Sequence, residues 1–188
     1  MSGADLEEIL AVRRHSSVVF SREVVDAAVD EIGFVLTQRL AGENPLILCV
    51  MKGGVPFTAD LLRRFDFPLE LDYVHVSRYH DRTRGSHLEW HGVPQTSLVG
   101  RTALIVDDVL DEGRTLSALI AWSRERGAAQ TLSAVLVAKD VPREAGARAD
   151  FTALDAPNRY LFGRGMDYKG YWRNLPDIYA VDPEFLAE

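Results

Sequence analysis

The stretch Ala103-Leu104-Ile105-Val106-Asp107-Asp108-Val109-Leu110-Asp111-Glu112-Gly113-Arg114-Thr115 decides how the rest of the chain is read. Its apolar opening predicts a strand from Thr102 to Val106, covered on both faces and ending in two adjacent carboxylates. A short turn through Gly113 follows, then a helix from about Leu116 to Gly127. The Asp111–Thr115 segment then offers successive backbone N–H groups and the Thr115 hydroxyl at a helix N-terminus, a setting suited to a phosphomonoester. Carboxylates repel phosphate unless the same ligand also brings hydroxyls or a chelated Mg²⁺. A phosphorylated sugar brings both. Two other readings fit the segment: a solvated acidic turn before a capped helix, and a phosphoacceptor receiver domain. A receiver places its acid pair after the first strand, whereas here the pair follows a late one. The Walker pattern, with Lys directly before Ser or Thr, is absent.

Outward from this loop, strand-like and helix-like segments alternate. After Ser21, apolar residues at Val24, Val25, Ala28, Ile32, Val35, Leu36 and Leu40 keep helical spacing until Gly42. Leu46 to Val50 reads as a buried strand, Val55 to Arg64 as a helix, and Leu69 to Val76 as the next strand. Further strands are expected over Leu132–Val137, Phe151–Leu154, Tyr160–Phe162 and Ile178–Val181. The expected fold class is α/β, a mostly parallel central sheet with flanking helices, whose ligands bind beyond the carboxyl ends of the strands. Residues 1–188 are read as one domain. The polar stretch 77–97 is expected to be weakly structured and to act as a lid or binding loop. Within it His87 and His91 stand four apart, a helical zinc spacing, but no Cys or third His completes a set.

Composition narrows the functional classes. A chain of 188 residues with 47% hydrophobic and 26% charged residues is an ordinary globular domain, neither disordered nor fibrous. Its formal net charge of −7 opposes binding to bulk nucleic acid while leaving room for a local basic cleft. The lone Cys49 lies inside an apolar run and reads as a buried residue of a reducing cytoplasm. Asp5, Glu7 and Glu8 are unlike a signal peptide, and no apolar stretch reaches the roughly 18 residues of a membrane span. The expectation is a cytoplasmic protein with no membrane and no nucleic-acid partner.

The run Val106–Thr115 resembles the 5-phosphoribosyl diphosphate (PRPP) motif of the type I phosphoribosyltransferases. Leu48-Cys49-Val50-Met51-Lys52-Gly53-Gly54, Lys139 after a strand, and Gly163-Arg164-Gly165-Met166-Asp167-Tyr168 with Tyr171-Trp172-Arg173-Asn174-Leu175 resemble its 6-oxopurine branch, the hypoxanthine-guanine phosphoribosyltransferases. The resemblance spans about Leu46 to Val181, in order. It implies that Asp107 and Asp108 hold the ribose hydroxyls, directly or through Mg²⁺. Asp111 is implied as the general base at a purine ring nitrogen. Asp111, Glu112, Gly113, Arg114 and Thr115 are implied to cradle the 5′-phosphate, and Lys52, Gly53 and Arg173 to take the pyrophosphate, with an unusual cis peptide in the Lys52-Gly53 loop. Purine contacts fall to Lys139 at the exocyclic oxygen, Tyr160 stacking on the base, Leu161 through its main chain, and Asp167, which also joins Asp107 and Asp108 as a metal ligand. Arg78 and Tyr79 stand at the lid signature, where the family's Ser is replaced by Arg78.

The resemblance alone implies a small hood from about 1–20 and 155–188. It further implies a homodimer or homotetramer acting on PRPP and a 6-oxopurine, with Mg²⁺ as cofactor. The same chemistry on xanthine, adenine or a pyrimidine is an alternative, and a cation at Lys139 suits a keto oxygen rather than adenine's amino group. A PRPP- or nucleotide-binding regulatory protein of the same fold is another, one for which a basic nucleic-acid face would be expected.

Overall fold

The computed structural model describes residues 5–81, 85–143 and 147–186, with the side chains of 78–81 and 85–88 outside the described set. The chain runs α1 (Leu6–Arg14), β1 (Ser16–Phe20), α2 (Arg22–Leu40), β2 (Leu46–Met51), α3 (Val55–Leu62), β3 (Glu70–Asp81) and β4 (Gly85–Gly92). It continues through β5 (Thr102–Leu110), α4 (Arg114–Glu125), β6 (Gln130–Lys139), β7 (Phe151–Ala156), β8 (Leu161–Phe162), β9 (Ile178–Val181) and α5 (Pro183–Leu186). Six strands form the main sheet in the order β4-β3-β2-β5-β6-β7. Every pairing is parallel except β3 with β4.

Alternation along the central strands builds two cores. Ile47, Leu104, Val106 and Ala134 face α2 and α3, meeting Val25, Leu36, Phe57 and Leu61. Their neighbours Leu46, Leu48, Ala103 and Ile105 face α4, meeting Leu116 and Leu119. A wholly apolar strand is the consequence of helices on both sides. A second, three-stranded sheet, β1-β9-β8, lies apart from the first. Helix α1 packs on it through Ile9 and Val12 against Phe162, Tyr179 and Val181.

Several elements differ from expectation, the unexpected β1 and α5 among them. Strand β5 continues past the acid pair to Leu110, because β6 is itself long enough to pair with Asp107, Val109 and Leu110. The stretch expected to be weakly structured is largely an antiparallel ladder, from His75 opposite Gly92 to Asp81 opposite Gly85. Main-chain hydrogen bonds hold that ladder, and they are blind to side-chain polarity, so hydropathy misses it. His87 and His91 therefore lie in one strand, where four residues span about 13 Å. That removes the helical zinc spacing. Helix α1 was not anticipated at all. Its signals are Asp5, whose carboxylate accepts from the Glu7 N–H at 3.0 Å, and Arg13 and Arg14 in the last turn.

The loop between β8 and β9 is anchored by a half-buried cation. The Arg164 guanidinium bonds Asp60 of α3 at 2.7 Å, Asp26 of α2, and the Pro176 carbonyl at 2.7 Å. Asp60 is itself buried. Replacing Arg164 with Met leaves that carboxylate with only the solvent-exposed Arg63, a loss of about 1.5–3 kcal/mol. Urea denaturation of Arg164→Met is expected to show this loss, and Asp60→Asn added to it is expected to recover part.

Candidate active site

An open cleft of about 340 Å³ lies beyond the carboxyl ends of β2 and β5. Lys52, Gly53, Asp107, Asp108, Asp111, Gly113, Thr115, Asp167 and Arg173 all line it. Residues from three separate segments of the sequence thus meet in one cavity. Each arrives by a distinct device. Lys52 and Gly53 follow β2, where the Met51–Lys52 peptide is cis. The cis bond therefore precedes Lys52, rather than joining it to Gly53.

Gly53 lies against β5 with no room for a side chain. A Cβ there would stand 2.0 Å from Asp108 Oδ2. The loop after β8 closes on the same spot. A Cβ on Gly165, whose φ is +108°, would meet the Gly53 carbonyl oxygen at 2.1 Å. The Gly165 N–H donates to the Arg173 carbonyl at 3.0 Å, and Arg173 Nη1 donates back to the Gly165 carbonyl at 2.6 Å. Arg173 is thereby aimed inward, bonded to Asp167 and 4.0 Å from Asp108. The Asp167 carboxylate also accepts from the Gly170 N–H at 2.6 Å.

Asp107 and Asp108 are adjacent but unlike. Asp107 is half-buried, and its Oδ1 accepts from the Asp108 N–H at 2.9 Å. Asp108 is 8% exposed, and burial pushes its carboxyl above the usual range despite opposing contributions from Asp107 and Arg173.

Lys139 ends β6, one strand over, and its Nζ donates to Asp111 Oδ2 at 3.2 Å. Leu110 pairs with Ala138, so the sheet brings Asp111 and Lys139 level just past the last rung. Glu112 and Arg114 pair with each other at 3.4 Å on the outer side of the loop.

Tyr160 and Leu161 are not cleft-lining residues. Tyr160 is 41% exposed and packs edge-on against Tyr168 at 5.5 Å, its phenol pushed up by burial and then by the Asp167 charge. Tyr168 donates to Glu8 of α1 at 2.7 Å, and burial with that carboxylate pushes its phenol up to about 12. The Leu161 side chain is core, and its backbone pairs with Ala180. The side chains of Arg78 and Tyr79 lie outside the described residues.

Sequence reasoning missed Arg143. Its Nε donates to the Asp111 carbonyl at 3.2 Å and its Nη2 to the Lys139 carbonyl. Only its position four residues after Lys139, behind Pro142, hinted at a return to the site.

Residues 21–157 match the family model described as phosphoribosyl transferase domain. The chain belongs to the phosphoribosyltransferase family. Its relatives place it more finely. It is 36% identical over 171 residues to the hypoxanthine-guanine phosphoribosyltransferase of Streptococcus pneumoniae, covering 90% of this chain and 95% of that one. It is 36% identical over 172 residues, 91% of this chain, to the bifunctional protein TilS/HprT of Listeria innocua, and spans only 26% of that longer relative. A solved hypoxanthine phosphoribosyltransferase from Staphylococcus aureus superposes with a TM-score of 0.86 at 26% identity, covering 93% and 96% of the two chains. The family and the α/β fold expected from the sequence are both borne out.

The Asp108 environment generates a pH-dependent expectation. A carboxyl whose folded pKa is raised favours the fold while protonated, and that contribution is lost as pH rises through the folded pKa. An Asn in its place carries no such loss. Asp108→Asn is expected to melt higher than the parent at pH 7–8, with the gap closing as pH falls into the acid range. Thermal melts across pH check this, and a deficit at pH 8 would contradict it.

Proposed function

We propose that the chain is a Mg²⁺-dependent hypoxanthine-guanine phosphoribosyltransferase of purine salvage. It joins PRPP to hypoxanthine or guanine, giving IMP or GMP and pyrophosphate. The observation that carries this reading is the Lys139–Asp111 contact, a cation and a carboxylate side by side at 3.2 Å beside a cleft lined by carboxylates and backbone. A 6-oxopurine presents an oxygen and a ring N–H on one edge, which ask for one donor and one acceptor so spaced.

In the reaction one imidazole nitrogen attacks C1 of the ribose and the C1–O bond to pyrophosphate breaks. The other imidazole nitrogen is left with a surplus proton, which Asp111 accepts. Lys139 donates to the exocyclic oxygen as negative charge gathers there. Tyr160 stacks on the ring, the Leu161 main chain meets its edge, and Asp167 completes the purine site. The Asp111–Thr115 backbone, with Glu112, Gly113 and Arg114, holds the 5′-phosphate, and Asp107 and Asp108 take the ribose hydroxyls. Lys52, the Gly53 backbone and Arg173 hold the leaving diphosphate, for which a planar guanidinium offers two parallel donors. The rate enhancement is then positioning together with fixed charge.

Hard carboxylate oxygens of Asp107, Asp108 and Asp167 on one cleft are a donor set suited to Mg²⁺ shared with substrate phosphates. The cation, when bound, neutralises charge on the diphosphate. The terminal segments serve as the hood of a single domain, and the β3–β4 ribbon, with Arg78 and Tyr79, as the lid. The buried Cys49 thiol, pushed up by burial, suits a reducing cytoplasm. The exposed apolar residues Val55, Leu71 and Tyr73 support a homodimer or homotetramer.

Pyrophosphate release from PRPP is expected with hypoxanthine or guanine and to stop when EDTA is added. Turnover only on xanthine, adenine or uracil would retain the chemistry and overturn the branch. Asp111→Asn is expected to lower kcat by about 10²–10⁴-fold with PRPP binding largely intact. Near-normal turnover in that variant would remove Asp111 from the role of base.

A further inference from the structure

The sheet stops specifying geometry where the chemistry begins. Leu110 and Ala138 are the last residues paired between β5 and β6; Asp111 then enters the loop before α4, while Lys139 is still paired with Ala156 of β7 before the turn at Pro142. No ladder rung joins Asp111 to Lys139. Their side chains meet through one contact of 3.2 Å, between groups 36% and 14% exposed. A lone partly solvated pair of that kind is weak, on the order of 0–1 kcal/mol, and does not by itself fix a separation.

The Arg143 guanidinium supplies the missing rung. From one planar group, Nε donates to the Asp111 carbonyl at 3.2 Å and Nη2 donates to the Lys139 carbonyl. The two donors are held in one rigid plane, so the two backbones are tied at a set spacing rather than merely drawn together. The turn that returns Arg143 to this position is itself braced: Asp140 N–H donates to the Ala156 carbonyl at 2.8 Å and Val141 N–H to the Lys139 carbonyl at 3.0 Å.

We propose that Arg143 is a positioning residue that sets the distance between Asp111 and Lys139, and so the fit of the purine edge between them. The inference rests on the proposed function. Arg143 touches main chain, not the reacting atoms, and the diphosphate contacts at Lys52, Gly53 and Arg173 are on other segments. Of the loop proposed to take the 5′-phosphate it holds only the first carbonyl, at Asp111, so its loss falls more heavily on the base than on PRPP. A displacement of about 1 Å in a reacting geometry lowers rate by about 10²-fold. An ammonium cannot span both carbonyls in one plane, so lysine does not replace the guanidinium.

The test compares the parent with Arg143→Met and Arg143→Lys, using hypoxanthine turnover, the Kd for PRPP with Mg²⁺ in the absence of base, and melting temperature. Both variants are expected to melt within a few degrees of the parent and to bind PRPP within about twofold. In both, kcat/KM for hypoxanthine is expected to fall by about 10²-fold. Discrimination between hypoxanthine and unsubstituted purine, which lacks the exocyclic oxygen, is expected to shrink in both. Equal losses for PRPP and base, full activity in Arg143→Lys, or unchanged base kinetics in Arg143→Met would each overturn the proposal. If the parent itself fails to use hypoxanthine while binding PRPP, the assigned reaction fails, and the inference that rests on it fails with it.

Discussion

The site depends on three pieces of backbone approaching more closely than any side chain permits. Gly53 lies against the Asp108 carboxylate, and Gly165 lies against the Gly53 carbonyl oxygen, each leaving about 2 Å for a Cβ that real contacts never allow. This stack joins the loop after β2, the acid pair on β5 and the loop after β8. Those segments are more than fifty residues apart in sequence. Once they are stacked, Lys52, Asp108, Asp167 and Arg173 have little choice about where they point. A substitution at either glycine would act by wedging the segments apart, not by removing a functional group.

The electrostatics of the cleft run against stability. Asp108 is buried, with burial outweighing the help it receives from Arg173 and from its own neighbours. A fold selected only for stability would place an amide or an apolar residue there. The strain of desolvation is tolerated because the surroundings are over-determined: the Arg164 anchor ties the loop after β8 to α2 and α3 through Asp26 and Asp60. The anchor and the cleft are thus adjacent in sequence, Arg164 facing the helices and Gly165 turning the chain back toward the cleft.

A comparable division holds on the other side of the site. The parallel rungs of β5 and β6 bring Asp111 and Lys139 level, yet the ladder ends at Leu110 and Ala138. Regular structure delivers Asp111 and Lys139 to the edge of the sheet, and contacts outside the β5–β6 ladder connect them there. Arg143 and the Arg173–Gly165 exchange are both of this second kind, guanidinium groups bonded to main-chain carbonyls where the repeating hydrogen-bond pattern has stopped.

Much of this was legible in the chain of residues. The doubly covered strands could be read because burial on both faces leaves runs such as Leu46–Val50 and Ala103–Val106 without polar members. The Asp107–Thr115 loop could be placed because an acid pair, a glycine and a hydroxyl at fixed offsets encode a local backbone path. The β3–β4 ladder and α1 could not, since the first is held by main-chain bonds that carry no residue signature and the second borrows most of its burial from the β1-β9-β8 sheet. The tertiary structure alone decided that Asp108 is buried while Asp107 is half-exposed, that Gly53 and Gly165 touch, and that Arg143 returns to Asp111. Each of these is a relation between segments distant in sequence, and no local pattern of residue types specifies the distance between two strands that have not yet met.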